Sequence, residues 1–342
     1  MKSEAIFDYF DKIKKCSYGR NEMRQIEMVS LEELVPVSHN YRQFIRLWTF
    51  KSTAKHLKKL EKDNPYKGYG LLRLFKCLLL QFMEDLSDRE LERYLQENNA
   101  AKWFCEFGLT EITPDYSVFS KIRARLGTSL LSKIFAELRD QLKQQGVMNE
   151  VFSFVDATHL IAKASLWQER DKAIKEKHDR LNNEILPKVA VDKQARIGCK
   201  GKEKYWYGYK QHVSVDMQSG LINKVAITPA NETDAQGLEH VCPTQGAIYA
   251  DKGYCTKPAK QTAAKKACHL AAIKKNNMKD KNKNQDAWYS KMRAPYERVF
   301  SQRNKRVRYR GVAKNQFGAF MHAICFNLKR LTVINFPELC LS

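Results

Sequence analysis

The sequence predicts an α/β protein in which an all-helical N-terminal region precedes a mixed five-stranded sheet flanked by helices. Two observations lead to this prediction. Up to about residue 145, apolar residues recur every three or four positions between helix-capping residues, and beyond residue 150 the apolar runs are short, β-branched and aromatic. A chain of 342 residues has room for about two domains. We predict a helical domain over residues 1–146 and a second domain over residues 147–335, with a charged insertion at 167–204.

Two of the N-terminal helices are marked by capping boxes. An apolar stripe between Leu71 and Phe82 must face a core. The segment Ser87–Glu90 is a capping box that begins the following helix, and Ser30–Glu33 is another, before a short helix that Pro36 limits. These signals predict a helical bundle.

A second pair of helices carries basic residues. Asp115 is a predicted N-cap for a helix over 116–126, Gly127 stops that helix, and another is expected over 129–145. The first helix follows another across a turn, which is compatible with helix-turn-helix docking on DNA, although any bundle contains such pairs. The residues predicted to contact DNA here are Lys121, Arg123 and Arg125.

Five strands are predicted in the second half of the chain. They are VFSFVD (151–156), the alternating YWYGYKQHVSVD (205–216), LINKVAITP (221–229), AIYAD (247–251) and HLAAIKK (269–275). The first three can form an antiparallel meander, whereas the last two need crossover helices to join the sheet in parallel. The charged stretch 167–204 between the first two strands is too polar for a core, and we expect it to be a solvent-exposed insertion. A mixed five-stranded sheet of this kind is the ribonuclease-H-like arrangement.

Two acids stand directly after short apolar strands. Asp156 follows Phe152–Val155, and Asp251 follows Ala247–Ala250. One such acid in isolation is more often structural, but two in one sheet favour a functional site, because ligands collect beyond the carboxyl ends of parallel strands.

A third acid is expected from the region that follows. Glu297 is preferred over Asp286, because Arg293, Glu297 and Phe300 share one helical face. Pro295 predicts that this helix starts near Ala294. Asp286 lies in the run KNKNQD, which is predicted to be a solvated loop.

Three carboxylates without a His or Cys cluster suit hard, oxygen-seeking cations. Mg²⁺ fits best, with Mn²⁺ as a substitute, because Mg²⁺ accepts a few carboxylates together with substrate phosphate. Two ions held by Asp156, Asp251 and Glu297 would support in-line displacement at phosphorus. The sequence therefore predicts a two-metal phosphoryl-transfer site.

The excess of positive charge predicts a polyanionic partner. Lysine and arginine number 60 against 38 aspartates and glutamates, a formal net charge of +22. No apolar stretch is long enough to cross a bilayer, and Asp8 and Asp11 interrupt the N-terminal run that a signal peptide needs. Besides the three cations near residue 123, those expected to contact DNA rather than only to form a solvated face are Lys252, Arg293, Lys305, Arg306, Arg308, Arg310 and Lys314.

At these residues the sequence resembles a bacterial insertion-sequence transposase of the DDE class, in the insertion sequence five group. The resemblance is carried, in order, by SDRELERYLQENNAAKWFCEFGL, TPDYSVFSKIRARLG, VDATHLIAKAS, KYWYGYKQHVSVDMQSGLINKVAITPANETDAQGL, IYADKGY, RAPYERVFSQRNKRVRYRG and FNLKRL. It covers most of the chain.

The resemblance implies a function as well as a fold. It assigns Asp156, Asp251 and Glu297 as the metal-binding triad of a ribonuclease-H-like domain that binds terminal inverted repeats. The family's tyrosine–arginine–glutamate–lysine signature is matched at Arg293 and Glu297. Its tyrosine falls one place early, at Tyr289, and its distal lysine position is Asn304, next to Lys305.

The sequence thus predicts a transposase that cleaves DNA and transfers the cut strand. We expect it in the bacterial cytoplasm, associated with the nucleoid, and bound to DNA as a homodimer, because two transposon ends must be brought together. One alternative is a catalytically silent derivative that binds DNA as a repressor. Another is a nuclease of the same fold that hydrolyses DNA but cannot join it.

Overall fold

The structure of the protein is a computed structural model, and it describes residues 29–63, 65, 68–162, 180–200, 204–301, 304–334 and 341. Three parts of the sequence predictions therefore lie outside the described residues. They are residues 1–28 of the predicted helical domain, with the run that Asp8 and Asp11 interrupt, positions 167–179 and 201–203 of the charged stretch, and the last position of the predicted second domain.

Seven helices form the described N-terminal region. They are α1 (Leu31–Leu34), α2 (Asn40–Leu47), α3 (Lys51–Asp63), α4 (Leu71–Met83), α5 (Asp88–Glu97), α6 (Asn99–Phe104) and α7 (Tyr116–Gln144). Both predicted capping boxes are present, at Ser30 and Ser87. The Asp115 side chain accepts the Ser117 N–H, as predicted, and the two halves of α7 meet at Gly127, whose φ of 64° and ψ of 172° are not helical.

Helix α4 is buried on more sides than the predicted stripe required. Cys77, Leu80 and Gln81, which lie off that stripe, are buried as well. The reason is that α3, α5 and α7 surround α4 together with a C-terminal helix, α12 (Val312–Leu331). One hydrophobic cluster joins α4 and α12 to the sheet, so the division of the chain at residue 146 remains a prediction.

The sheet has six strands rather than the five predicted. They are β1 (Phe152–Ile161), β2 (Arg196–Lys200), β3 (Lys204–Asp216), β4 (Ile222–Pro229), β5 (Gly246–Ala250) and β6 (Cys268–Ala272). Strand β3 pairs antiparallel with β1, β2 and β4, whereas β5 is parallel to both β1 and β6. The architecture is therefore a mixed α/β fold.

The additional strand β2 lies in the stretch predicted to be a solvent-exposed insertion. That prediction is wrong for the described positions 180–200, because Leu186, Ala190 and Ile197 form a small buried cluster. The polar residues there are buried with partners. The Asn182 side chain pairs with the backbone of Ile197, and Asp192 accepts the Tyr209 hydroxyl at 2.7 Å.

Helices cover both faces of the sheet. Helices α9 (Asp234–Val241) and α10 (Lys257–Lys265) pack on one face through a cluster with β1 and β5. Helix α11 (Lys283–Arg293) contacts β5, and α12 lies between β4 on one side and α4 and α7 on the other. The remaining turns are α8 (Leu186–Val189), which follows a π-helical turn (Leu181–Ile185), and the 3₁₀ turns Lys252–Tyr254 and Ala294–Phe300.

The helix predicted to start near Ala294 ends there instead. Helix α11 closes with the Ala294 N–H donating to Ser290, and Pro295 has no N–H to continue the ladder, so the chain changes to a 3₁₀ turn. Asp286 is not in a solvated loop. It lies in the first turn of α11 and accepts the Lys274 N–H at 3.0 Å. Within the described ranges, no helix is long and apolar enough to span a membrane.

Candidate active site

Asp156 and Asp251 lie where two parallel strands separate. The pairing of β1 with β5 runs from Phe152 opposite Ala247 to Val155 opposite Ala250, and the two acids are the next residues on their strands. Strand β5 ends there, whereas β1 continues to Ile161 beside β3. Asp156 therefore lies within its strand, beside the gap that opens when β5 stops.

Glu297 reaches the same place from the 3₁₀ turn that follows α11. The Tyr296 ring of that turn stacks on Phe154 of β1 at a centroid distance of 6.0 Å, and its hydroxyl donates to the Met217 carbonyl. These two contacts fix the turn over the sheet face that carries Asp156. Glu297 itself stays exposed, with 59% of its side chain accessible.

The three acids surround one guanidinium group, that of Arg293. Its Nη2 lies 3.0 Å from Asp156 Oδ2 and 3.9 Å from Glu297 Oε1, and its Nη1 lies 3.7 Å from Asp251 Oδ1. The Arg293 side chain is only 7% exposed and its guanidinium carbon lies 5.5 Å from the centre of the Phe154 ring. The structure thus brings the three predicted acids together, with a cation between them.

Asp156 is the most enclosed of the three carboxylates. Burial raises its pKa to about 6, against the opposing effects of Arg293 and of the Ala157 N–H, and Asp251 and Asp234 add to the rise. The Ala157 N–H donates to Oδ1 at 2.8 Å, while Arg293 occupies Oδ2. Both oxygen atoms of Asp156 therefore have defined partners.

Sequence reasoning missed a fourth acid, Asp234, at the start of α9. Lys210 of β3 donates to its Oδ1 at 2.9 Å, and a Cβ on Gly253 would lie 3.0 Å from its Oδ2. Asp234 thus packs against the turn that follows Asp251. In that turn, the Tyr254 hydroxyl is buried without a hydrogen-bond partner among the described residues, and burial raises its pKa well above the usual value. Asp234 comes five positions after the end of β4 and suits the first turn of a helix, so no local pattern marked it.

The donor set fits a hard dication in its chemistry. All three carboxylates offer oxygen atoms, the ligands that Mg²⁺ prefers, and a cationic group already stands among them. They are spaced around the guanidinium rather than around a common point. Accordingly, no three His, Cys, Asp or Glu side chains of the described chain lie close enough to hold a metal as they stand.

The cations predicted to contact DNA fall into four groups. Arg123 is engaged within the protein, with bonds to both carboxylate oxygens of Asp88, and Arg308 pairs with Asp85. Arg293 lies in the acid cluster, and Arg125 is half-buried. Those that are exposed are Lys121, Lys252, Lys305, Arg306, Arg310 and Lys314. Of these, Lys252 follows Asp251 directly, and Lys305 and Arg306 run beside the end of β1 at Ile161.

Comparison with known proteins defines the class of the chain. Residues 29–125 match a family described as Transposase domain (DUF772), and residues 151–328, more than half of the chain, match the Transposase DDE domain family. The protein therefore belongs to the Transposase DDE domain family, and is a transposase by class. Among solved structures, the chain is similar to a piggyBac transposase in a synaptic complex with hairpin DNA, at 7% identity and a TM-score of 0.41. That match covers 87% of this chain and 76% of the other.

Proposed function

We propose that the protein is a DNA transposase that cuts at transposon ends and joins them to target DNA, with Asp156, Asp251 and Glu297 as its catalytic acids. The observation that carries this proposal is their convergence on Arg293 from three separate elements of a chain in the Transposase DDE domain family. Acids 95 and 46 positions apart in sequence have no local reason to meet. They meet beyond the carboxyl end of β5, beside β1, and this meeting supports a shared chemical task.

We assign a ribonuclease-H-like fold to the second half of the chain. The strand order β4–β3–β1–β5–β6, antiparallel in its first half and parallel in its second, supports this assignment. We assign DNA binding to the helical region of residues 1–146 and catalysis to residues 147–335. Membership of the insertion sequence five group, and with it a bacterial cytoplasm and nucleoid location, belongs to the same proposal.

The three carboxylates would hold two Mg²⁺ ions, which Mn²⁺ could replace. When bound, such ions activate an attacking oxygen and stabilise a leaving oxygen at phosphorus. The protein's own part is to orient the ligands: the Ala157 N–H fixes one oxygen of Asp156, and the Tyr296 anchor fixes the turn that carries Glu297. Asp251, with 45% of its side chain exposed, and Glu297 face solvent and remain open to a DNA phosphate.

The proposed reaction has two successive phosphoryl transfers. In the first, water attacks at the transposon end and frees a 3′-hydroxyl group. In the second, that hydroxyl attacks a phosphodiester of target DNA, and the target strand leaves with its own 3′-hydroxyl. No enzyme nucleophile is assigned, because neither transfer needs a covalent protein–DNA intermediate.

Binding of DNA depends on the positive charge of the protein. A formal net charge of +22 supports a strong, salt-dependent attraction to phosphates. Among the exposed cations predicted to contact DNA, Lys252 follows Asp251 directly, and Lys305 and Arg306 lie beside Ile161 at the end of the strand that carries Asp156; we assign these three to DNA close to the cut. We assign the terminal inverted repeats as the specific ligand and a homodimer as the DNA-bound state, because two ends must be held together.

The test is cleavage of a duplex that carries the inverted repeat flanking the coding sequence, with and without Mg²⁺. Asp156→Asn, Asp251→Asn and Glu297→Gln are expected to abolish cleavage while leaving repeat binding largely intact. Asp286→Asn is the matched control, since Asp286 was the alternative third acid and instead holds Lys274. It is expected to cut like the wild type.

The same assay separates the alternative functions. A wild-type protein that binds the repeat but never cuts it would be a silent, repressor-like derivative. Cleavage without strand-transfer products on sequencing would indicate a nuclease. Wild-type cutting by any of the three acid variants would remove that residue from the catalytic set.

A further inference from the structure

Arg293 is a buried cation whose charged partners are all acids. Besides Asp156, Asp251 and Glu297, its surroundings are the face of the Phe154 ring and the end of α11. Its Nε atom is buried and has no hydrogen-bond partner in the described part of the chain. A guanidinium group has five donors, so Arg293 is held here by charge more than by a complete set of hydrogen bonds.

The charge balance of this cluster changes sign when dications enter. Three carboxylates and one guanidinium carry two formal negative charges in excess. Two dications would turn this into an excess of two positive charges, and the guanidinium would then stand beside like charges in a buried place. A metal ion bound at Asp156 Oδ2, the oxygen that does not accept the Ala157 N–H, would compete with Arg293 for that atom.

We propose that Arg293 is an internal counter-ion of the acid triad, and that Arg293 exchanges its partners when metal ions bind to the triad. Without metal it neutralises the three carboxylates, and when metal takes them it turns to a phosphate of the bound DNA. This inference rests on the proposed metal-binding role of the triad. It goes further by making Arg293 a competitor of the metal and a link between metal and DNA binding.

The local backbone and the exposure of the partners suit such an exchange. Arg293 is the last residue of α11, and the 3₁₀ turn after it begins at Ala294 and Pro295. Two of its three partners, Asp251 and Glu297, are 45% and 59% exposed, and their distances of 3.7 and 3.9 Å are loose. Only the 3.0 Å pair with Asp156 has to be broken. A planar guanidinium group is also well matched to two oxygens of a phosphate.

A purely structural arginine would behave differently. Removing one partner of a buried ion pair leaves the other charge uncompensated, which lowers stability and makes no prediction about metal affinity. A counter-ion predicts that its removal strengthens metal binding. The two roles therefore differ in the sign of a measured affinity.

The experiment is a calorimetric titration of the full-length protein with Mg²⁺ in the absence of DNA. Arg293→Gln is expected to bind Mg²⁺ about tenfold more tightly than the wild type, equivalent to ~1.4 kcal/mol. Arg298→Gln is the matched control, because it removes the same charge from an exposed arginine nearby and is expected to change the affinity less than about twofold. If Arg293→Gln does not fold, Arg293→Lys replaces it in the titration. Lysine keeps the positive charge but lacks the planar guanidinium group that reaches several carboxylates, so Mg²⁺ binding about threefold tighter than in the wild type is expected.

Unchanged or weaker Mg²⁺ binding by the folded Arg293 variant overturns the proposal. The failure of the proposed function looks different: the wild type would then bind no Mg²⁺, or Asp156→Asn would bind it as well as the wild type.

A second measurement tests the exchange of partners. Affinity for a duplex without an end sequence, which the enzyme is not expected to cut, is compared in EDTA and in Mg²⁺. Arg293→Gln should bind about twofold more weakly than the wild type in EDTA, because the three acids lose their counter-ion, and about tenfold more weakly in Mg²⁺. An equal loss under both conditions would place Arg293 on DNA at all times and overturn the exchange.

Discussion

Glu150 holds together the starts of the two strands that carry the candidate aspartates, and its replacement is the sharpest stability test. Its carboxylate is almost completely buried, with an exposure of 1%, and lies just before β1. It pairs with Lys143 of α7 at 2.9 Å, accepts the Thr244 N–H at 3.2 Å just before β5, and accepts from the side chains of Asn223 and Thr244.

The size of the effect follows from the titration of this group. Burial raises the pKa of Glu150, but the hydrogen bonds from Thr244, Lys143 and Asn223 outweigh burial and lower it from 4.5 to about 2. A carboxyl whose pKa is lower in the folded state stabilises that state above its unfolded pKa, and the contribution is lost as the pH falls. The contribution is about 3 kcal/mol at pH 7 and about 1 kcal/mol at pH 3.

Glu150→Gln should therefore lower the free energy of unfolding by about 3 kcal/mol at pH 7, as measured by chemical denaturation. The loss should shrink as the pH is lowered to 3. Glu184→Gln, at an exposed pair with Arg180 in which both side chains are more than 60% accessible, is the control and should leave the midpoint within experimental error. A loss that is small at pH 7, or that does not depend on pH, would refute the reasoning.

Two further predictions concern buried polar residues of the sheet. His212 is buried against Thr228, and burial lowers its pKa from 6.5 to about 4. The stabilisation that neutral His212 gives to the folded state should be complete above pH 6.5, and the free energy of unfolding should fall by about 3 kcal/mol between there and pH 4. His212→Gln should remove this pH dependence, as measured in thermal melts at a series of pH values. Asp192→Ala should lower the free energy of unfolding by about 2–3 kcal/mol, because the Tyr209 hydroxyl loses its buried acceptor and the Gly311 N–H is left with only the Tyr209 oxygen. A chemical-denaturation midpoint equal to that of the wild type would contradict that role of Asp192.

The sequence was informative where local patterns decide the structure. Both capping boxes, the stop at Gly127 and the short strand before Asp251 depend on neighbouring residues, and the structure contains them. The strand predicted to end on Asp156 is longer than expected: it runs to Ile161, and Asp156 lies within it. Parallel strands then bring the two aspartates to one edge without further information. Arg293 and Glu297 approach each other to 3.9 Å as expected, although a 3₁₀ turn carries Glu297 and the single helix predicted for both residues is absent.

The rest depended on partners that are distant in sequence. Strand β2 was missed because its surroundings are charged, yet Asp192 is buried by Tyr209 and by Gly311, which lies 119 positions away. Asp234 was missed because its approach to the turn at Gly253 exists only in three dimensions. The burial of Arg293 among three carboxylates could not be read from a stretch whose composition suggests a solvated, basic surface.

The most direct test of the central claim is the position of Mn²⁺ in the folded protein. An anomalous difference map from crystals of the protein with a repeat-containing duplex and Mn²⁺ would locate the ions. The account predicts peaks in contact with carboxylate oxygens of Asp156, Asp251 and Glu297. Peaks elsewhere, or a fully occupied metal site that leaves any one of these three side chains unused, would contradict it.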